Sequence, residues 1–187
     1  MKTAVILHGT DGSPEENWFP WLKAKFEAEG YDVWVPQLPE CHTPNRDIYN
    51  NFLLETGRDL TGAIVVGHSS GAVEVLNLLM DKRCPKIHLG VMVGAWAGGL
   101  PKGYPEDGHQ FDHLFPRWGF RWRRIRSKAD KLAFLHGNDD PYCPIEQAES
   151  LATLTRGSLT IVPNGGHLGS DFRELPQVWE LIVPHLQ

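Results

Sequence analysis

With 187 residues, a net charge of −5 and a pI near 6.0, the chain is long enough to bury one domain core. Its acidity argues against a nucleic-acid partner, which asks for a basic balance. Hydrophobic residues at 41% and charged residues at 22% are ordinary for a globular protein. Cys41, Cys84 and Cys143 are odd in number and widely spaced. They therefore suggest neither a disulfide framework nor a metal site, and point to a reducing compartment, the cytoplasm. The apolar run at residues 4–7 is too short for a signal peptide or a membrane span, so no membrane association is expected.

In chain order, short apolar runs alternate with helical patterns. Strands are expected at residues 4–7, 31–35, 63–66, 87–93, 132–135 and 159–162. Most are continuously apolar, as when both faces of a parallel sheet are covered. A helix is expected from Ser13-Pro14-Glu15-Glu16, which has a cap residue, a proline behind it and a glutamate three later. Trp18, Phe19, Leu22 and Phe26 form its stripe, and Gly30 its stop. Further helices are expected at 45–56, 72–80, 144–155 and 175–186. The third of these five is apolar almost all round, as in a helix buried against a sheet. This alternation predicts a single α/β domain over residues 1–187: a doubly wound, mostly parallel six-stranded sheet with helices on both faces. Right-handed crossovers bring the strand C-terminal ends to one edge, where such sheets bind ligands. Residues 95–128, rich in Gly, Pro, Trp, Phe and Arg, are too long for a simple connection and read as a small lid over that edge.

Gly67-His68-Ser69-Ser70-Gly71 fits Gly-x-Ser-x-Gly between a buried strand and a buried helix. Such a turn needs small residues and lifts the Ser69 hydroxyl above the sheet, at a helix N-terminus that favours developing negative charge. Ser70 lacks the flanking glycines, but its backbone N–H is placed to serve an oxyanion. An ordinary glycine-rich turn is the bland alternative, and the strand before and helix after it favour the nucleophile.

A serine hydroxyl needs a base. Of nine histidines, His167 follows the sixth strand after Pro163-Asn164-Gly165-Gly166, on the same edge as Ser69. His8 and His136 end strands before glycines and read as turn-shaping, and His185 lies on the last helix. The third member should follow the fifth strand. Asp139 and Asp140 both stand there. Asp140 is chosen because Pro141 and Pro144 fix the loop behind it, and Asp139 reads as a turn residue. The acid orients the imidazole and stabilises its cation. The first strand ends in His8-Gly9-Thr10, and the Thr10 backbone N–H is expected to share the oxyanion with that of Ser70.

With these residues in place, the chain resembles the small serine hydrolases of the retinoblastoma-binding protein 9 type, a compact branch of the α/β-hydrolase superfamily. The resemblance rests on His8-Gly9, Asn17-Trp18-Phe19-Pro20-Trp21-Leu22, Gly67-His68-Ser69-Ser70-Gly71, Asp139-Asp140-Pro141-Tyr142-Cys143-Pro144 and Gly165-Gly166-His167. It implies a Ser-Asp-His order, here Ser69, Asp140 and His167. The Leu-x-Cys-x-Glu motif that binds retinoblastoma protein is not carried over. Pro39, Lys82 and Pro141 stand two before the cysteines.

The function expected is cleavage of a small ester, thioester or amide, on a small-molecule or short peptide substrate, without cofactor or metal. The competing reading is a non-catalytic binding or scaffold protein on a hydrolase fold. An aspartate-nucleophile mechanism is excluded by the serine at position 69. Trp96, Phe111, Phe115 and Trp118 are candidates to line the substrate pocket, or else form the lid's own small core. Five arginines between positions 117 and 126 read as a solvated face, with an anionic substrate as the sharper alternative.

Overall fold

The computed structural model describes residues 2–98 and 109–187. Strands β1 (Thr3–Leu7), β2 (Asp32–Trp34), β3 (Ile64–His68), β4 (Ile87–Val93), β5 (Ala129–Gly137) and β6 (Ser158–Val162) pair in the order β2-β1-β3-β4-β5-β6. Every pairing is parallel, so each strand is reached by a crossover. Among the described residues, the α-helices are α1 (Phe19–Ala28), α2 (Arg46–Glu55), α3 (Ser70–Met80), α4 (Trp122–Ser127), α5 (Ile145–Thr155) and α6 (Pro176–Ile182). Among the described residues, no helix is long and apolar enough to cross a membrane.

The strands are apolar because both faces are covered. Along β1, Val5 and Leu7 face a cluster with Tyr49, Leu53, Val75, Ile125 and Leu151, from α2 to α5. Ala4 and Ile6 face the opposite cluster, with Phe19, Leu22 and Phe26 of α1 and Val178 and Ile182 of α6. Each fully buried Leu or Val contributes roughly 1.5–3 kcal/mol. Helix α3 runs down the middle of the first layer with residues 70–79 all buried, Glu74 and Asn77 among them, as its almost wholly apolar pattern leads one to expect.

Two elements depart from the sequence reading. The first helix begins at Phe19, not at Pro14. The Ser13 N–H does reach the Glu16 carboxylate at 3.2 Å, but the Glu16 N–H returns to the Ser13 backbone carbonyl at 3.4 Å, which closes only a turn. Asn17 breaks away at φ 53°, and Pro20 then starts the helix proper. The fifth strand spans nine residues rather than the central apolar four, because pairing with β4 from Ile87↔Ala129 onward recruits Asp130 and Lys131. Of the expected lid at 95–128, residues 99–108 lie outside the described residues. The remainder forms a short 3-10 turn (His109–Phe111), α4 and irregular backbone.

Candidate active site

Ser69 sits between β3 and α3 at φ 56°, ψ −124°, a strained positive-φ conformation at a sharp strand-to-helix turn. Only small neighbours permit it. A Cβ on Gly67 would fall 2.2 Å from the Gly71 carbonyl oxygen, and one on Gly71 2.4 Å from that of His8. Gly9 closes the front, where a Cβ would lie 2.9 Å from Ser69 Cβ.

Ser69 Oγ lies 2.9 Å from His167 Nε2, and His167 Nδ1 lies 2.7 Å from Asp140 Oδ2. The Nδ1–H donates to the carboxylate, which leaves Nε2 as the acceptor facing the serine hydroxyl. Asp140 Oδ1 accepts the Tyr142 and Cys143 backbone N–H groups at 2.9 and 3.0 Å. Burial pushes this carboxyl's pKa up. The His167 hydrogen bond and charge and the two backbone donors outweigh it, and the net shift is downward. The carboxylate is thus held ionised behind the imidazole.

Asp139 is turned away from the ring. Its Oδ1 accepts the Gly166 N–H at 2.8 Å, and Asn138 Oδ1 accepts the Asn164 N–H at 2.8 Å. These neighbours clip the loop after β5 to the loop after β6. Two buried rings hold the same loop from below. His68 Nε2–H donates to the His167 carbonyl at 2.9 Å, and Trp18 Nε1–H to the Leu168 carbonyl at 2.8 Å. Leu168 itself is buried at φ 55°. Full burial lowers the His68 pKa to about 3, so this ring is neutral near pH 7. Sequence reasoning passed over His68 as a variable motif position and Trp18 as stripe packing; the aromatic beside Phe19 was the one available signal.

A cleft of about 350 Å³ opens over Ser69, lined by Gly9, Thr10, His68, Trp96, Phe111 and Tyr142 among others. The Thr10 hydroxyl donates to Ser70 Oγ at 3.0 Å, which ties the loop after β1 to the start of α3. The Ser70 N–H belongs to the first turn of α3, where backbone donors have no intrahelical acceptor. Of the four aromatic pocket candidates, Trp96 and Phe111 line this cleft. Phe115 is not in its wall: it packs edge-on against Trp96 in the lid's small core. Trp118 is 87% exposed and borders a different cleft, because the chain has by then crossed to the far end of α3.

Ligand atoms of Asp140, Cys143 and His167 lie within 4.8 Å of one another. They do not suit a metal. Both imidazole nitrogens are engaged, and burial pushes the Cys143 thiol pKa upward, away from the thiolate a metal requires.

The chain is 27% identical to the YdeN protein of Bacillus subtilis over 189 residues, covering 98% of this chain and 96% of that one. It is 22% identical to the serine hydrolase RBBP9 of Rattus norvegicus, covering 94% and 92%. The crystal structure of the B. subtilis ydeN product superposes with a TM-score of 0.85 at 25% identity, over 99% of this chain and 98% of that one. Est1E of Butyrivibrio proteoclasticus, solved with ferulic acid bound, has a TM-score of 0.70 at 14% identity over 99% and 89%, a likeness of fold alone. The all-parallel sheet is that of the α/β-hydrolase fold. The serine hydrolase family model matches residues 4–183, and the chain belongs to that family.

Proposed function

We propose that this serine hydrolase cleaves a small ester, thioester or amide through Ser69, His167 and Asp140. The unbroken chain of hydrogen bonds from Ser69 Oγ through the His167 ring to Asp140 carries the reading. Ser69 Oγ attacks the acyl carbon as Nε2 takes its proton, and Asp140 stabilises the imidazolium. The Thr10 and Ser70 backbone N–H groups receive the oxyanion. Collapse expels the leaving group, which takes the proton from Nε2. Water, deprotonated by the same nitrogen, then releases the acid and restores Ser69.

The small cleft supports a short acyl group against Trp96 and Phe111. Asp11, Glu16 and Asp171 line it, and no Lys or Arg does among the described residues, which supports a neutral or cationic substrate. The test is labelling by a fluorophosphonate probe, with Ser69→Ala as control. Labelling lost only in the variant supports the reading. No labelling of the native chain would instead favour a scaffold with a silent triad.

A further inference from the structure

A third histidine lies behind the Ser69, His167 and Asp140 constellation. His136 reads from the sequence as a residue that shapes the turn after the fifth strand, and the structure gives it a sharper task. It stands one residue before the end of β5 and is fully buried. Alternation along the strand puts its ring on the side of Leu132 and Phe134, towards the layer that holds α3 and α5. Its Nε2 lies 2.8 Å from the Cys143 carbonyl oxygen. A carbonyl only accepts, so the proton of this bond sits on Nε2. The other ring nitrogen, Nδ1, is buried without a hydrogen-bond partner.

The Cys143 residue is therefore held through both of its backbone polar groups. Its N–H donates to Asp140 Oδ1 at 3.0 Å, and its carbonyl accepts from His136. The bonded path that starts at Ser69 Oγ and crosses the His167 ring to Asp140 continues through Cys143 to the end of β5. His136 Nε2 is also 3.6 Å from Asp140 Oδ2, too far for a hydrogen bond. Its hold on the carboxylate thus runs through the Cys143 backbone. The next strand residue faces the other loop. A Cβ on Gly137 would fall 2.1 Å from the Gly166 carbonyl oxygen. Two consecutive residues of β5 so fix the loop of Asp140 and the loop of His167.

Packing alone does not call for a histidine here. The Cys143 side chain is already seated among Val73, Trp96, Phe111 and Leu114. An apolar residue of similar volume at position 136 would remove the unpartnered Nδ1, a buried acceptor that weakens the fold. What it could not supply is the donor to Cys143. A side chain that breaks a packing rule beside a reactive centre points to a task in that centre.

We propose that His136 is a positioning residue, which holds the Asp140 carboxylate against His167 through the Cys143 backbone. The proposal rests on the catalytic reading of Ser69, His167 and Asp140. Without the donor, the Cys143 carbonyl is released and Asp140 loses its alignment. The imidazolium that forms during attack is then less well stabilised.

The test compares His136→Met with His136→Gln in the full chain. Both side chains are close to histidine in volume, and the Gln Nε2–H can stand where the ring Nε2–H stood. His136→Met should lower kcat about 10–100-fold with KM within about twofold, the scale of a catalytic group displaced by about 1 Å. The acid limb of kcat/KM against pH should move to lower pH, because an imidazolium facing a misaligned carboxylate gives up its proton more readily. A loss of stability alone would not move that limb. His136→Gln should recover most of the rate and the native limb. A second readout needs no turnover. In a Ser69→Ala background, the proton between His167 Nδ1 and Asp140 should give an NMR resonance far downfield of the backbone amides. His136→Met should broaden or abolish it, and His136→Gln should keep it. Should the methionine variant not fold, His136→Asn takes its place, since its shorter amide stops short of the Cys143 carbonyl. An inactive native chain would strike the catalytic reading, and the resonance would still decide whether His136 holds Asp140. The proposal is overturned if the donor-less variant leaves the resonance and the acid limb unmoved, or if His136→Gln loses as much as that variant.

Discussion

His68 donates its Nε2 proton to the backbone carbonyl of His167, 99 residues further along the chain, at 2.9 Å. The residue before the proposed nucleophile thereby holds the backbone of the proposed base. His68 is a positioning residue, since its ring acts through the loop. Replacing it with Phe keeps the volume and removes the donor. Turnover should fall by about 10–100-fold with KM nearly unchanged, the scale of a misplaced catalytic group. His68→Gln, which retains an N–H donor, should recover part of the loss. Steady-state kinetics of the two variants decide it, and equal losses would show that the donor is irrelevant.

Ser69→Ala and His167→Ala should each lower kcat by three or more orders of magnitude, roughly 10³–10⁶-fold, and the double variant should lose little more, because a shared proton transfer is removed once. Rates with an activated ester supply the cycle. Multiplying losses would mean that the two residues act separately.

The backbone at Ser69 carries a measurable cost. At φ 56° a side chain is strained by about 1–3 kcal/mol, which glycine escapes at an entropic cost of about 0.5–1 kcal/mol. Ser69→Gly should therefore be more stable than Ser69→Ala by about 1 kcal/mol in urea unfolding, while both are inactive. Equal midpoints would show that the turn is unstrained.

Glu74 is buried in α3, and burial raises its pKa well above the ordinary 4.5. The folded protein therefore keeps a proton that the unfolded chain releases above that value. Stability associated with Glu74 is fully present below pH 4.5 and is lost as pH rises, by about 1.4 kcal/mol per unit, until the folded group itself ionises. Glu74→Gln should gain stability over the native chain on going from pH 5 to pH 7, at about 1.4 kcal/mol per unit for as long as the folded carboxyl stays protonated. Denaturant unfolding at the two pH values checks it, and a constant difference would mean that Glu74 is ionised in the folded state.

A chain-length series of p-nitrophenyl esters should show kcat/KM falling from short to long acyl groups. Each methylene left in water forfeits about 0.8 kcal/mol. Esters bearing a carboxylate should be turned over more slowly than neutral ones of equal size, because Asp11, Glu16 and Asp171 line the cleft. A rise towards long chains, or a preference for the anionic ester, would contradict the proposed substrate class.

The strand edge and the three side chains proposed to react were legible because they are written locally. Continuous apolar runs mark strands covered on both faces, and Gly67 and Gly71 mark a turn with no room for side chains. The long-range ties were not. Nothing near Trp18 in sequence announces that its N–H serves Leu168, and nothing in α3 distinguishes Glu74 and Asn77 from solvent-facing residues until the lid covers them. Ser13 to Glu16 shows the converse. Only the glutamate half of the local cap forms, and one residue of positive φ, Asn17, separates it from the helix. Trp118 reads as pocket lining only while the path of residues 95–128 is unknown.

Strand β6 pairs on one side only, with β5, and its outer surface is half open to solvent. The loop bearing His167 hangs from this margin, whereas Ser69 rises from the middle of the sheet. Fraying of that margin would part the two while the centre stays folded. On heating, loss of hydrolase activity should thus precede the bulk transition, and a ligand spanning both loops would act as a clasp.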